Sequence, residues 1–225
     1  MVLENNPFDR LCQGDRTQRP ASKDITAKCS LLDYKNPFLK LMPFKLETAN
    51  DDGNYVGIIH DLMSTKESEM FQDKARGGMK ATPYNIGKVN HQYSSKRSSK
   101  IRYVSERVDE TALKVTRRME KALAMKIYTP SNRYSSENYQ LMNYGFGGLI
   151  SLHVDDTGSS TNKREDDYGG GRMTTAMVYL SQLQSGGFTI FPNLGLFFTP
   201  TAGDLLFWNL RRTDGEIDER FDAIK

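Results

Sequence analysis

The chain's 225 residues, 37 % hydrophobic with a net charge of +3, suit one domain with a sizeable core better than two. The charge is too small, and the densest basic run (Lys96-Arg97-Ser98-Ser99-Lys100-Ile101-Arg102) too short, to form a nucleic-acid surface. No apolar run approaches the ~20 residues of a membrane span, and no C-x-x-C pair suggests zinc.

Residues 1–35 read as an extended, turn-rich lead-in that carries both cysteines, Cys12 and Cys29. In a reducing compartment they would stay free thiols. In an oxidising one they could close a loop, contributing about 3 kcal/mol. The opening Met1-Val2-Leu3-Glu4-Asn5-Asn6 has no secretory h-region, so the chain as written is expected in the cytosol.

The remaining domain spans residues 36–225. From Asn36 to Glu47, Pro37 and Pro43 confine the chain to edge or extended structure. Tyr55 to His60 reads as a strand. Ser64-Thr65-Lys66-Glu67 matches a capping box and predicts a helix to about Arg76, stopped at Gly77-Gly78. Residues 79–107 are expected to form a long loop with one strand. Asp109 to about Lys126 is the strongest helix. Leu113, Thr116, Met119 and Leu123 mark its apolar face, opposite Lys114, Arg118 and Lys121.

After residue 137 the pattern turns to β. Strands are predicted over Tyr139–Tyr144, Leu149–Val154, Met173–Leu180, Phe188–Phe191, Gly195–Phe198 and Asp204–Trp208. A turn falls at Gly145–Gly148 and a polar loop over 156–171. Trp208 is expected in the core. Helices first and short strands after predict an α+β chain with a jelly-roll β region.

Within that region His153-Val154-Asp155 stands out. In an extended segment residues i and i+2 project from one face. An imidazole and a carboxylate can therefore reach one metal ion, as in the 2-His-1-carboxylate sites that hold non-haem Fe(II) with open positions. His153 and Asp155 are the candidate metal ligands. The other histidines, His60 and His91, lie well upstream. His60 is expected to be structural and His91 exposed.

Several motifs follow one another in a telling order. They are Asn143-Tyr144-Gly145, His153-Val154-Asp155, Gly171-Arg172, Tyr179-Leu180-Ser181, Gly186-Gly187-Phe188-Thr189-Ile190-Phe191-Pro192 and Gly203-Asp204-Leu205-Leu206-Phe207-Trp208. In order and spacing they resemble a prolyl 4-hydroxylase, most of all the catalytic region of the animal collagen prolyl 4-hydroxylase α subunit. Upstream, Arg10-Leu11-Cys12-Gln13-Gly14, Cys29, Pro43-Phe44-Lys45-Leu46-Glu47 and His60-Asp61 resemble that subunit's approach to its catalytic domain.

The resemblance implies a double-stranded β-helix with supporting N-terminal helices. It also implies an enzyme that uses Fe(II), 2-oxoglutarate and O₂ to hydroxylate proline in a collagen-like peptide, with L-ascorbate keeping the iron reduced. By the same resemblance Tyr144 and Thr189 bind 2-oxoglutarate and Arg172 contacts the substrate peptide. Cys12 and Cys29 form a disulfide, and protein disulfide isomerase is a partner subunit in the endoplasmic reticulum lumen. Each residue also has an ordinary reading: Tyr144 as a core aromatic, Thr189 as a strand residue, Arg172 as a surface charge.

The chain departs from the family in two places. Ile150 stands where the family often has a substrate-contacting tyrosine. By the family's spacing, the distal iron-ligand histidine would fall near Ala223 and the 2-oxoglutarate lysine beyond Lys225. The expectation is an unfinished iron site, closing C-terminal strands missing, and little or no turnover by this chain. Three readings compete: a fragment or variant of a prolyl 4-hydroxylase, a non-catalytic relative that binds a peptide or partner subunit, and a plain ligand-binding jelly roll.

Overall fold

Strand β12 (Leu205–Asn209) is the residue run that dictates the architecture. Successive side chains of a strand point to opposite faces, so Leu-Leu-Phe-Trp needs an apolar layer on each side. Both layers are present, and Leu205, Leu206 and Trp208 are fully buried. The structure is a computed structural model. It describes residues 28–50, 55–81, 84–86, 89–91, 98–127, 136–155, 172–184, 186–212 and 214–221.

β12 lies inside an antiparallel five-stranded sheet. The order is β1 (Lys28–Leu32), β2 (Phe44–Asn50), β3 (Val56–His60), β12 and β9 (Thr174–Val178). Leu205 faces Ile59 on β3 and Val178 on β9. On one face Leu205 and Phe207 pack with Leu46, Ile59, Phe71, Val115 and Met119. These come in part from helices α2 (Thr65–Arg76) and α3 (Glu110–Leu123). On the other face Leu206 and Trp208 pack with the hairpin of β10 (Thr189–Phe191) and β11 (Leu196–Phe198). Phe191 is the centre of that layer, edge-on to Phe198, Trp208 and Phe221.

The helices begin where the chemistry of their caps requires. Ser64 and Glu67 form the full capping box, each side chain serving the other's backbone N–H. Asp109 accepts from Ala112 N at 2.9 Å and meets Lys74 at 2.9 Å, tying α3 to α2. Glu67 also takes both arms of Arg118 at 2.8 Å, and Arg118 donates to the Leu62 carbonyl. Arg118, expected on the solvent face of α3, is therefore half-buried between the helices. The buried stripe of α3 is Ala112, Val115, Thr116, Met119 and Ala122. It is rotated from the expected one, and Leu123 packs only partly buried against the core.

Three expectations are corrected. Asn36 caps a short helix α1 (Pro37–Leu41) where extended chain was expected. Proline in the first helical turn forfeits no hydrogen bond, so Pro37 favours this start. The described residues of 79–107 hold four strands, β4 (Lys80–Ala81), β5 (Tyr84–Ile86), β6 (Val89–His91) and β7 (Lys100–Val104), and not one. β7 pairs with β4 and with β8 (Tyr139–Asn143). Finally, 149–154 is not a strand. It makes only single bridges at Ile150 and His153, and Leu152 and Val154, which would share Ile150's face, remain exposed. The lead-in ends in β1, where Cys29 is exposed. Cys12 lies outside the described residues.

Two stability predictions follow from these contacts. Phe191→Ala should cost about 4 kcal/mol, read as a lowered urea midpoint. Arg118, then burial and the Ser64 bonds, act on Glu67, and the net effect lowers its carboxyl to about 2. A carboxyl depressed on folding adds stability above its unfolded value and loses it as pH falls towards the folded one. Glu67→Gln should therefore destabilise by about 2 kcal/mol at pH 7. The gap to wild type should close between pH 4.5 and 2; an equal gap at pH 7 and at pH 2.5 would refute the assignment.

Candidate functional site

The candidate site lies on an irregular segment that leaves β8. Gly145 to Gly148 form a tight turn, with Gly148 N bonded to Gly145 O at 2.8 Å. A Cβ on Gly148 would lie 2.8 Å from the carbonyl oxygens of Gly145 and Ser98, so only glycine fits. The chain is held again where Ser98 N donates to Leu149 O at 2.7 Å. Ile150 is buried, which suits an aliphatic side chain.

His153 and Asp155 meet on one face, with Nε2 and Oδ1 3.0 Å apart. His153 Nδ1 lies 2.8 Å from the Ser151 carbonyl oxygen. A carbonyl only accepts, so Nδ1 donates in that contact, and Nε2 faces the carboxylate, which also only accepts. This is the orientation a metal-binding imidazole needs: one nitrogen anchored, the other presented. The backbone of Asp155 is held too. Arg172 Nη1 donates to its carbonyl at 2.5 Å, while Arg172 Nε and Nη2 grip Glu137, the latter at 2.9 Å. Glu137 was not picked out in the sequence. The signal was weak, since a lone glutamate before β8 resembles any surface acid.

Thr189 and Tyr144 make their bonds elsewhere. Thr189 is buried, and its Oγ1 accepts from Tyr179 OH at 2.9 Å. Burial pushes the Tyr179 phenol above its ordinary range. Tyr144 OH points to Met142 Sδ at 3.6 Å. Arg172 joins the His-Asp pair but spends its guanidinium on Glu137 and Asp155.

An iron of the kind the resemblance implies needs three protein donors. Among the described residues no group of three or more His, Cys, Asp or Glu side chains could hold a metal ion. His60 is taken up by Asp204 and Glu47. His91 lies on β6 and Ala223 outside the described residues. His153 and Asp155 thus fit a metal as two of its donors. A polar depression of about 530 Å³ lined by Arg212, Glu216, Ile217, Asp218 and Arg220 offers no substitute site. Its arginines already pair, Arg212 with Asp214 and Arg220 with Asp218.

No protein-family model matches the chain. Curated relatives do, along nearly all of it. Prolyl 4-hydroxylase subunit alpha-2 of Caenorhabditis elegans is 32 % identical over 224 residues, 97 % of this chain. The alpha-2 subunit of Gallus gallus is 30 % identical over 223 residues, 96 % of the chain. The alpha-3 subunit of Homo sapiens is 27 % identical over 214 residues, 94 % of the chain and 38 % of that subunit. The chain spans about 40 % of the length of the first two. The fold matches a solved structure, the viral collagen prolyl hydroxylase of Paramecium Bursaria Chlorella virus-1 in its 2OG complex. The TM-score is 0.55 at 20 % identity, over 77 % of this chain and 88 % of that one. Over the portion of them that it spans, this chain is similar to the prolyl 4-hydroxylase α subunits.

Proposed function

We propose that the chain belongs to the catalytic portion of an enzyme that hydroxylates peptidyl proline in collagen-like substrates, using 2-oxoglutarate and Fe(II). The observation that carries this reading is the His153 Nε2 and Asp155 Oδ1 pair on one face, 3.0 Å apart. His153 and Asp155 would hold the iron through one nitrogen and one oxygen. The bound iron and 2-oxoglutarate would supply the oxidising chemistry, O₂ yielding hydroxyproline, succinate and CO₂.

The chain's own residues account for orientation. Ser151 O fixes the His153 ring, and Arg172, itself gripped by Glu137, fixes the Asp155 backbone. Thr189 and Tyr144 would line the 2-oxoglutarate pocket. In this reading the two β layers around Trp208 form a double-stranded β-helix. The enzyme would work in the endoplasmic reticulum lumen, with ascorbate as reductant and protein disulfide isomerase as partner, and Cys12 and Cys29 would pair there.

Given Fe(II), ascorbate, 2-oxoglutarate and a proline-rich collagen-like peptide, the enzyme to which the chain belongs is expected to form succinate and 4-hydroxyproline in equal amounts, and this chain by itself, with two donors, little of either. Peptide binding without either product would favour the non-catalytic reading that the two-donor site supports. Co(II) titration separates metal binding from turnover. Compared with wild type, His153→Ala should weaken Co(II) binding by about 100-fold and Glu137→Gln by about tenfold. Unchanged affinity in both would remove this pair from the metal site.

A further inference from the structure

Outside the His-Asp pair, one polar cluster spans three neighbouring strands of the main sheet. His60, at the end of β3, lies between two carboxylates. Its Nδ1 is 2.8 Å from Asp204 Oδ2 and its Nε2 3.2 Å from Glu47 Oε2. Asp204 is buried, and a buried carboxylate needs donors. It has the His60 ring and, on Oδ1, the backbone N–H of Asp61 at 3.0 Å. Lys45 is drawn off by Asp61 at 2.7 Å.

The backbone of Asp204 reaches further. Its carbonyl accepts from Tyr179 N at 3.0 Å, and Gly203 N donates to Tyr179 O at 2.8 Å. Gly203 cannot shift freely. Its φ is +92°, and a Cβ there would lie 2.4 Å from the Met63 carbonyl oxygen. Tyr179 in turn donates to the buried Thr189. A continuous run of bonds thus joins His60 to Thr189 through Asp204 and Tyr179.

We infer that His60 is a positioning residue: by compensating the buried Asp204 carboxylate it sets Tyr179, and through Tyr179 the Thr189 hydroxyl of the proposed cosubstrate pocket. The pocket assignment rests on the proposed function; the coupling of His60 to Tyr179 does not. Of the two contacts on the ring, Nδ1 to Asp204 carries the effect and Nε2 to Glu47 does not.

Two substitutions divide the ring's contacts. An asparagine amide nitrogen falls where Nδ1 lies, and a glutamine amide nitrogen where Nε2 lies. In hydrogen exchange on the full chain, H60Q should speed exchange of the Tyr179 and Gly203 amides by about tenfold relative to the Val56 and Phe207 amides. H60N and Glu47→Gln should leave them near wild type. Equal exchange in H60Q and wild type would overturn the inference. So would failure of H60N to rescue, or a uniform rise across all amides. Calorimetry with 2-oxoglutarate and Co(II) adds the pocket: H60Q should weaken 2-oxoglutarate binding by about tenfold and H60N should not. A wild-type chain that binds no 2-oxoglutarate would count against the proposed function, while exchange alone would still decide the His60 coupling.

Discussion

The two-sided burial of Leu205, Leu206, Phe207 and Trp208 is the constraint on which the structure depends. A strand with apolar residues on both faces cannot lie at a surface, because one face would then meet water at about 25 cal/mol per Å² of apolar area. Helices α2 and α3 must therefore cover one side and the β10–β11 hairpin the other. The Phe191 ring, edge-on to three other aromatics, gives the second layer a defined geometry.

The candidate site is built by different means. It does not sit in a continuous ladder but on a segment that leaves β8 through a glycine turn and touches its surroundings at a few points. Such a segment gains little from the apolar core, so polar contacts must orient it. Ser98 holds Leu149, Ser151 holds the His153 ring, and Arg172 holds the Asp155 carbonyl. A bidentate guanidinium–carboxylate pair is stiffer than one neutral hydrogen bond, and here the Arg172–Glu137 pair underlies the acidic end of the site.

Legibility in the sequence followed the range of the interactions. The capping box at Ser64 was readable because both partners lie three residues apart. The His-x-Asp pair was readable because i and i+2 share a face in extended chain. The helix α1 start at Asn36-Pro37 is ambiguous in the sequence because proline limits a strand yet is tolerated in the first turn of a helix. The strand expected over 149–154 was misread because alternation says which residues share a face, not whether another strand lies there to bury it. Arg118 was placed in solvent because a charge opposite an apolar stripe usually points there, and Glu67, the partner that draws it in, is 51 residues away.

The sequence by itself determined the α+β character, the β12 core strand and the His153–Asp155 pair, since each rests on residue type and short spacing. Tertiary structure decided the rest. It placed Glu137 on Arg172, Tyr179 on Thr189 and His60 between Glu47 and Asp204. Their separations of 35, 10, 13 and 144 residues carry no local signature. Such pairs form because a buried charge or hydroxyl must find a partner, and only the folded chain brings candidates within reach.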